Sequence, residues 1–245
     1  MRSSARPGIA TIAAAIVTLG LGIGFPQPAD AGFIQYNSRA AFDALGPFNA
    51  VDWSVFGPSP STITTPDSRV VGGMTIGVAS SQGELWRRDE GNGFTGTFAL
   101  GDHLLTDAGS ESDSLIVSFG SPVMGFGTQI DAHYIRGAFT GHVKLFSVAS
   151  VLLFTLNFSG NNTGLEDNSA PFVGVLSDIP NISFAAFVVD QLDPNLPPLA
   201  GALGINRLDV LLAVPEPTTL ALLAPALLGF MGLRFPRRKR QAPRA

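Results

Sequence analysis

The chain has 245 residues, of which 14% are charged, and a formal net charge of −4. It lacks cysteine, which excludes a disulfide framework, and its 28 glycines and 18 prolines favour a turn-rich β protein over a helical one. The segment 32–213 carries seven basic and seventeen acidic residues, a net charge of −10. This acidic segment, called the body below, lacks the excess of positive charge that binding to nucleic-acid phosphates requires. We therefore exclude nucleic acid as a partner.

The first 31 residues have the three parts of a secretory signal peptide. Two arginines form the positive region, residues 9–25 form an apolar helix-length stretch, and Ala29-Asp30-Ala31 is a small-x-small cleavage site. An uncleaved signal anchor is the alternative, but two prolines directly before the cleavage site favour removal. We therefore expect 1–31 to be removed and the mature chain to begin at Gly32.

Segment 32–213 predicts a mainly β body. A short helix is predicted over 39–45, because polar capping residues precede it and Gly46-Pro47 ends it. Ten runs of β-type residues are separated by Gly, Asn, Asp and Pro. They predict strands at 70–79, 85–88, 94–100, 114–119, 123–132, 142–149, 151–158, 172–176, 182–189 and 205–213. This pattern is typical of an antiparallel two-sheet, jelly-roll-like sandwich with one short N-terminal helix.

Three features follow one another over 214–240. Pro215, Glu216 and Pro217 form a rigid turn, and 218–235 is apolar apart from one arginine. That run is just long enough to cross a bilayer core as a transmembrane helix. A basic cluster follows, which acts as a membrane stop signal and is expected to stay cytoplasmic. The cluster consists of Arg237, Arg238, Lys239 and Arg240, and 241–245 is a short tail.

This order of parts resembles the PEP-CTERM sorting signal of envelope proteins of Gram-negative bacteria. The motif here reads Val-Pro-Glu-Pro-Thr-Thr-Leu-Ala-Leu-Leu from Val214 onward, with the basic tail after it. The resemblance implies that an exosortase-type membrane enzyme recognises Pro-Glu-Pro and cleaves near it. It also implies export, with a transient single-pass inner-membrane anchor, the body outside and the C-terminus cytoplasmic. The final location is then the cell surface or the extracellular space.

An ordinary C-terminal anchor helix is the alternative to such a sorting signal. The succession of short segments over about 110–213 is also similar to the β-sandwich bodies common in PEP-CTERM proteins. Those bodies mostly have no assigned activity. The region 46–109 carries no resemblance of this kind.

No catalytic residues are predicted. The chain has no Gly-x-Ser-x-Gly elbow and no cysteine nucleophile, and its histidines lack the spacing of a zinc site. Asp131 and His133 are two residues apart on a predicted strand and would share a face, while His103 and His142 stand apart. Because triads are geometric rather than sequential, a secreted hydrolase with a cryptic site is an alternative to the non-enzymatic interpretation.

Calcium is the one cofactor that the acidic segments suggest, since it takes six to eight oxygen ligands from carboxylates, amides and carbonyls. Asp102 and Asp107 lie in one acidic stretch, and Asp167-Asn168 lies in another. A sandwich brings its loop ends together, so these residues are candidate ligands. Solubilising surface charge is the alternative, and no other cofactor is indicated.

A candidate glycan-binding site is the run Trp86-Arg87-Arg88. Alternation along a strand places Trp86 and Arg88 on one face and Arg87 on the other. An indole can stack on a sugar ring while an arginine pairs with its hydroxyl or carboxylate groups. The alternative is that Trp86 belongs to the core.

These observations predict an exported cell-surface or extracellular-matrix protein. Its role is structural or associated with exopolysaccharide, and polysaccharide is a candidate partner beside the inner membrane and the processing enzyme. A calcium-assisted glycan-binding module is the alternative within the same location.

Overall fold

The computed structural model describes residues 31–81, 83–107, 114–133, 136–190 and 202–213. The sorting motif at 215–217, the apolar run 218–235 and the basic cluster 237–240 lie outside these residues, as does the predicted signal peptide up to residue 30. Across the described ranges, the model contains no helix with the length and hydropathy needed for a membrane span.

The described residues form sixteen strands, one α-helix and one 3₁₀ helix. In chain order they are β1 (Phe33–Tyr36), α1 (Arg39–Asp43), β2 (Asn49–Val51), the 3₁₀ helix (Trp53–Phe56), β3 (Ser61–Thr64), β4 (Asp67–Val71), β5 (Met74–Ser80), β6 (Glu84–Glu90), β7 (Gly93–Phe94), β8 (His103–Asp107), β9 (Leu115–Val123), β10 (Gly125–His133), β11 (Gly137–Phe146), β12 (Leu152–Asn162), β13 (Phe172–Ser177), β14 (Ile182–Asp190), β15 (Ala202–Ile205) and β16 (Leu208–Leu211).

The strands form two sheets. The larger has the order β1–β13–β10–β15–β8–β6–β3, with β16 joined to β10 and β2, and β7 joined to β6. The smaller has the order β12–β11–β14–β9–β5–β4. Among the described pairs, only the two-residue β7 runs parallel to its neighbour. The predicted two-sheet antiparallel sandwich with one short helix is confirmed, and the helix ends at Asp43, two residues earlier than expected.

The main core lies between the inner faces of the two sheets. Phe126 on β10 is central to it, because its ring centroid lies 5.8 Å from that of Phe119 and 5.9 Å from that of Phe187. Both partners belong to the smaller sheet. Alternate residues of β11, among them Phe139 and Val143, are fully buried in the same core. Apolar residues that alternate along the strands therefore fill the space between the two sheets, as expected for a two-sheet sandwich.

The structure corrects three strand predictions. The expected single strand at 70–79 contains the turn between β4 and β5, which pair as a hairpin. The expected strand at 94–100 is reduced to β7, because Gly96 and Thr97 donate their backbone N–H groups to acidic side chains instead of to a neighbouring strand. The expected strand at 205–213 is divided into β15 and β16 by Asn206 and Arg207. Both new strands pair with β10, one after the other along the same strand.

Asn206 closes the gap between β15 and β16. Its side-chain oxygen accepts the Gln129 backbone N–H at 3.0 Å, and its side-chain nitrogen donates to Gln129 Oε1 at 2.7 Å and to Asp102 Oδ2 at 3.0 Å. Its carbonyl accepts a hydrogen bond from Trp53 Nε1 at 2.6 Å, and its side-chain oxygen also accepts one from Arg39 at 3.3 Å. The side chain of this one buried residue thus links β10, α1 and the segment before β8, and its main-chain carbonyl links the 3₁₀ helix.

We expect Asn206→Ala to lower the free energy of unfolding by about 3 kcal/mol, because it leaves several buried donors and acceptors without partners. Urea unfolding followed by tryptophan fluorescence measures the change. Asn161→Ala, at an exposed position of β12, is the matched control. A loss below about 1 kcal/mol would show that water replaces the amide without cost.

Candidate functional site

The predicted glycan-binding residues lie on β6. Leu85 and Arg87 are buried, whereas Trp86 and Arg88 between and after them are half-buried, so the alternation places the two pairs on opposite faces. Leu85 belongs to the main core, which puts Trp86 and Arg88 on the outer face of the larger sheet. The guanidinium carbon of Arg88 lies 5.1 Å from the centroid of the Trp86 ring. The two side chains therefore form one cation–π unit, named here the Trp86–Arg88 pair.

The Trp86–Arg88 pair offers both apolar and polar contacts. The half-exposed indole supplies apolar surface, and the guanidinium supplies hydrogen bonds for hydroxyl or carboxylate groups. Threonines flank Trp86 on both neighbouring strands, with Thr62 on β3 and Thr106 on β8. Thr62 is exposed, while the Thr106 hydroxyl donates to the Trp86 carbonyl at 3.2 Å. Aromatic, cationic and hydroxyl groups thus meet at one place on the outer face.

Arg87 occupies a different environment. Its side chain is buried, and its Nη2 lies 2.6 Å from Asp89 Oδ1, while Nη1 donates to the Arg88 carbonyl. A buried charge is tolerated only when it is paired, so this ion pair keeps Arg87 inside the fold. That Arg87 takes no part in glycan binding stays a prediction, and its removal would act first on stability.

Another part of the same outer face is covered by residues 91–102, named here the cover segment. Its Phe94 and Phe98 pack with Leu104 of β8 and with Ala170 in a second apolar cluster, separate from the main core. The cluster leaves the Trp86–Arg88 pair only half-buried. The larger sheet therefore has an outer face that is covered in one part and accessible in another.

Two buried carboxylates hold the cover segment to the sheet. Glu90 accepts the Gly96 N–H at 2.7 Å, and Asp131 accepts the Thr97 N–H at 2.6 Å and the Thr97 hydroxyl at 2.7 Å. Burial raises the pKa of Glu90 to about 7, and although the Gly96 N–H opposes this, the neighbouring Asp131 carboxylate adds to it. Burial also raises the pKa of Asp131, against the lowering effect of its Thr97 hydrogen bonds.

Two of the predicted calcium ligands belong to the Asn206 network. Asp102 accepts the Asn206 side-chain N–H, and Asn168 Oδ1 accepts a hydrogen bond from Gln129 Nε2 at 3.0 Å. Gln129 in turn accepts from Asn206, so a chain of hydrogen bonds connects the two acidic stretches. Side-chain amides therefore already donate to one oxygen atom of each of these two residues.

The other two predicted ligands also have protein partners. Asp107 is buried and its Oδ1 accepts a hydrogen bond from the Ser80 hydroxyl at 3.4 Å. Asp167 is exposed, and its Oδ1 accepts from the Ser169 N–H at 3.1 Å, while the Ser169 hydroxyl lowers the pKa of this carboxyl. Among the described residues, no three His, Asp or Glu side chains are grouped so that they could hold a metal ion.

Two histidines, His103 and His142, are paired with carboxylates. His103 Nδ1 lies 2.7 Å from Asp52 Oδ1, and both line a small cleft of about 180 Å³ that also contains Asp102 and Arg207. Partial burial raises the pKa of Asp52, but hydrogen bonds from Ser54 and His103 outweigh it and leave this pKa below its ordinary value. Among the described residues, the hydrogen-bond partner of the His103 ring is thus a carboxylate and not a serine or threonine hydroxyl.

The second of these histidines lies on the other sheet. His142 Nδ1 lies 3.2 Å from Asp190 Oδ2 on the outer face of the smaller sheet. Asp131, which was predicted to share a face with His133, directs its carboxylate to Thr97.

A second cleft, which the sequence did not indicate, lies where the free edges of the two sheets meet. β1 is an edge strand of the larger sheet and β12 is an edge strand of the smaller. The cleft between them, named here the seam cleft, has a volume of about 340 Å³. It is lined by Gln35, Asn37, Asn157, Phe158, Ser159, Pro171 and Phe172.

Comparisons with known proteins give fold-level likenesses alone. No protein-family model matches the chain, and no curated protein does. A DUF4465 family protein from Bacteroides caccae superposes with a TM-score of 0.40 at 10% identity, covering 65% of this chain and 98% of that one. CsCBM6-3 from Clostridium stercorarium, solved in complex with cellobiose, superposes with a TM-score of 0.29 at 15% identity, covering 62% and 94%. At these scores the likenesses assign neither a family nor a ligand to this chain.

The raised pKa of Glu90 predicts a pH dependence of stability. The folded protein keeps the Glu90 proton up to about pH 7, whereas the unfolded chain loses it near 4.5. The contribution of the protonated group is therefore complete below pH 4.5 and is lost as the pH rises through 7. We expect Glu90→Gln to remove this loss. As the pH rises from mildly acidic to mildly alkaline, the free energy of unfolding of the variant should increase relative to that of the wild type by on the order of 2 kcal/mol.

Urea unfolding across that pH range measures the difference. Glu84→Gln, at an exposed position of the same strand, changes the same formal charge and is the matched control. If the Glu90→Gln and Glu84→Gln variants have parallel stability profiles, Glu90 is ionised in the folded state at all these pH values.

Proposed function

We propose that this protein is an exported, non-enzymatic component of the cell surface or extracellular matrix that associates with exopolysaccharide. One observation carries the proposal. The Trp86–Arg88 pair is held at cation–π distance on the accessible part of the outer face of the larger sheet. The export and sorting part of the proposal is supported by the sequence over 1–31 and 214–240.

The chemistry of the pair suits a weak, repeated contact with a sugar chain. The indole supplies apolar surface, and Arg88 supplies donors for hydroxyl or carboxylate groups. The body carries a net charge of −10, so an acidic polysaccharide would be repelled over most of the surface. Arg88 is then the local cation that would make such contact favourable.

We expect Trp86→Ala and Arg88→Ala each to reduce retention of the protein on the host exopolysaccharide by about three- to tenfold, because each removes one contact of the pair. Depletion from solution by immobilised polysaccharide measures retention. Arg69→Ala is the matched control, since Arg69 is an exposed arginine whose guanidinium carbon lies 5.4 Å from the Phe56 ring centroid. Unchanged retention together with a large loss of thermal stability in Trp86→Ala would make Trp86 a packing residue and remove the support for this site.

The sorting segment predicts a second outcome. Glu216→Ala should keep the apolar span but remove the acidic residue of the Pro-Glu-Pro turn, so uncleaved protein should accumulate in the inner membrane. Immunoblotting of membrane and surface fractions measures the distribution, with exposed Glu84→Ala as the control. Recovery of peptides covering 237–240 from the mature surface form of the wild type would contradict cleavage and leave a plain anchor helix.

A further inference from the structure

The seam cleft is built by rigid elements on both sides. Phe33 of β1 and Phe154 of β12 stack with ring centroids 5.0 Å apart, which fixes the two strands next to each other. Gln35 Nε2 donates to the Asn157 carbonyl at 3.2 Å, across the same junction. Side chains that project from strands are positioned more accurately than side chains on loops. The cleft is therefore a preformed feature of the sandwich.

The polar residues of the seam cleft are all uncharged. They are three amides and one hydroxyl, from Gln35, Asn37, Asn157 and Ser159. Each is exposed to solvent. An amide or a hydroxyl both donates and accepts hydrogen bonds, which is also true of every sugar hydroxyl. A charged sugar would instead require a cationic or metal partner, and no charged residue lines this cleft in the described part of the chain.

Much of this hydrogen-bonding capacity is unused within the protein. Gln35 Nε2 also donates to Asn37 Oδ1 at 3.1 Å, which orients both amides and leaves Gln35 Oε1 and Asn37 Nδ2 available. Within the described ranges, the side chains of Asn157 and Ser159 form no hydrogen bond to other residues. These two residues are two apart on β12, so their side chains leave the strand on one face.

The apolar wall of the cleft completes the arrangement. The half-buried Phe158 and Pro171 and the buried Phe172 also line the cleft and provide its carbon surface. Phe172 is also in contact with a paired cation, since the Arg39 guanidinium carbon lies 5.1 Å from its ring centroid and Arg39 is paired with Asp209. Pyranose rings present C–H groups on their faces and hydroxyls on their rims, so an apolar wall beside amides matches both. The volume of about 340 Å³ falls in the range of small-ligand pockets, roughly 300–1,000 Å³.

We propose that the seam cleft binds an uncharged saccharide unit of a polysaccharide chain. This inference rests on the proposed association with polysaccharide, but it uses a surface formed by different strands from the Trp86–Arg88 pair. The amides of the seam cleft would bind uncharged sugar units, whereas Arg88 would contact hydroxyl or carboxylate groups elsewhere on the polysaccharide.

Binding of full-length protein, purified in detergent, to immobilised polysaccharides tests this inference. The probes are the neutral polymers dextran, galactomannan and hydroxyethylcellulose, the acidic polymer polygalacturonate, and the host exopolysaccharide. We expect at least one neutral polymer to be bound with an affinity that does not change with salt, because no ion pair is involved. Gln35→Ala and Asn157→Ala should each weaken that binding about three- to tenfold, as expected for one lost hydrogen bond.

Asn161→Ala, on the same strand but outside the cleft, is the control and should bind as the wild type does. Thermal unfolding of each variant identifies any loss due to misfolding, and Asn157→Gln, which restores an amide, should recover part of the affinity. The inference is overturned if no neutral polymer binds, or if Gln35→Ala and Asn157→Ala bind as tightly as the wild type.

The results separate this inference from the proposed function. Retention of host exopolysaccharide that depends on Trp86 but not on Gln35 or Asn157 overturns the inference and supports the proposed function. Binding of a neutral polymer that depends on the seam amides, without retention of host exopolysaccharide, supports the inference and overturns the proposed function.

Discussion

The hydrogen bonds of Asn206 are the constraint on which the larger sheet depends. β15 and β16 are both needed as neighbours of β10, but a single straight strand does not serve both pairings, and the chain is interrupted between them. An interruption beside a buried strand normally leaves main-chain groups unpaired, at a cost comparable to a lost hydrogen bond. The Asn206 side chain meets the Gln129 N–H at this point. The side-chain nitrogen also donates to Asp102, and the main-chain carbonyl of Asn206 accepts from Trp53 Nε1, so the interruption becomes a junction of the fold.

The two faces of the larger sheet have different physical roles. The inner face is apolar and packs on the smaller sheet, whereas the outer face combines a small aromatic cluster, buried carboxylates and an accessible Trp86–Arg88 pair. Holding the cover segment with Glu90 and Asp131 requires carboxyl groups to be buried, which opposes their ionisation. The result is a sheet whose covered part is sensitive to protonation and whose open part is available to a ligand.

The sequence predicted the structure correctly where the two-residue alternation along a strand was sufficient. Alternation along β6 separated Trp86 and Arg88 from Arg87, and the strands predicted at 142–149 and 151–158 correspond to β11 and β12, which are paired. Sequence periodicity did not predict the places where a side chain replaces a backbone hydrogen-bond partner. Neither the hydrogen bonds from Gly96 and Thr97 to carboxylates nor the interruption at Asn206 follows a periodic pattern.

The seam cleft was missed for a related reason. Its two sides come from strands about 120 positions apart, which Gln35 and Asn157 join, and pairing of sheet edges is not encoded in either segment alone. Asn157, Phe158 and Ser159 are consecutive in the sequence, but only the position of β1 places the Gln35 amide next to them. Region 46–109, which carried no resemblance, supplies β2, the 3₁₀ helix and all strands from β3 to β8.

The position of the last two strands has a consequence for how such a chain folds. β15 and β16 come last in the sequence of the body, yet they lie against β10 in the interior of the larger sheet. A chain that emerges N-terminus first, from a ribosome or a translocation pore, cannot complete this sheet until residue 211 has emerged. Before that moment β8 and β10 each lack a neighbour and expose unpaired backbone groups to other chains. The Pro-Glu-Pro sequence begins only four positions later, so closure of the sheet and emergence of that sequence are nearly simultaneous events.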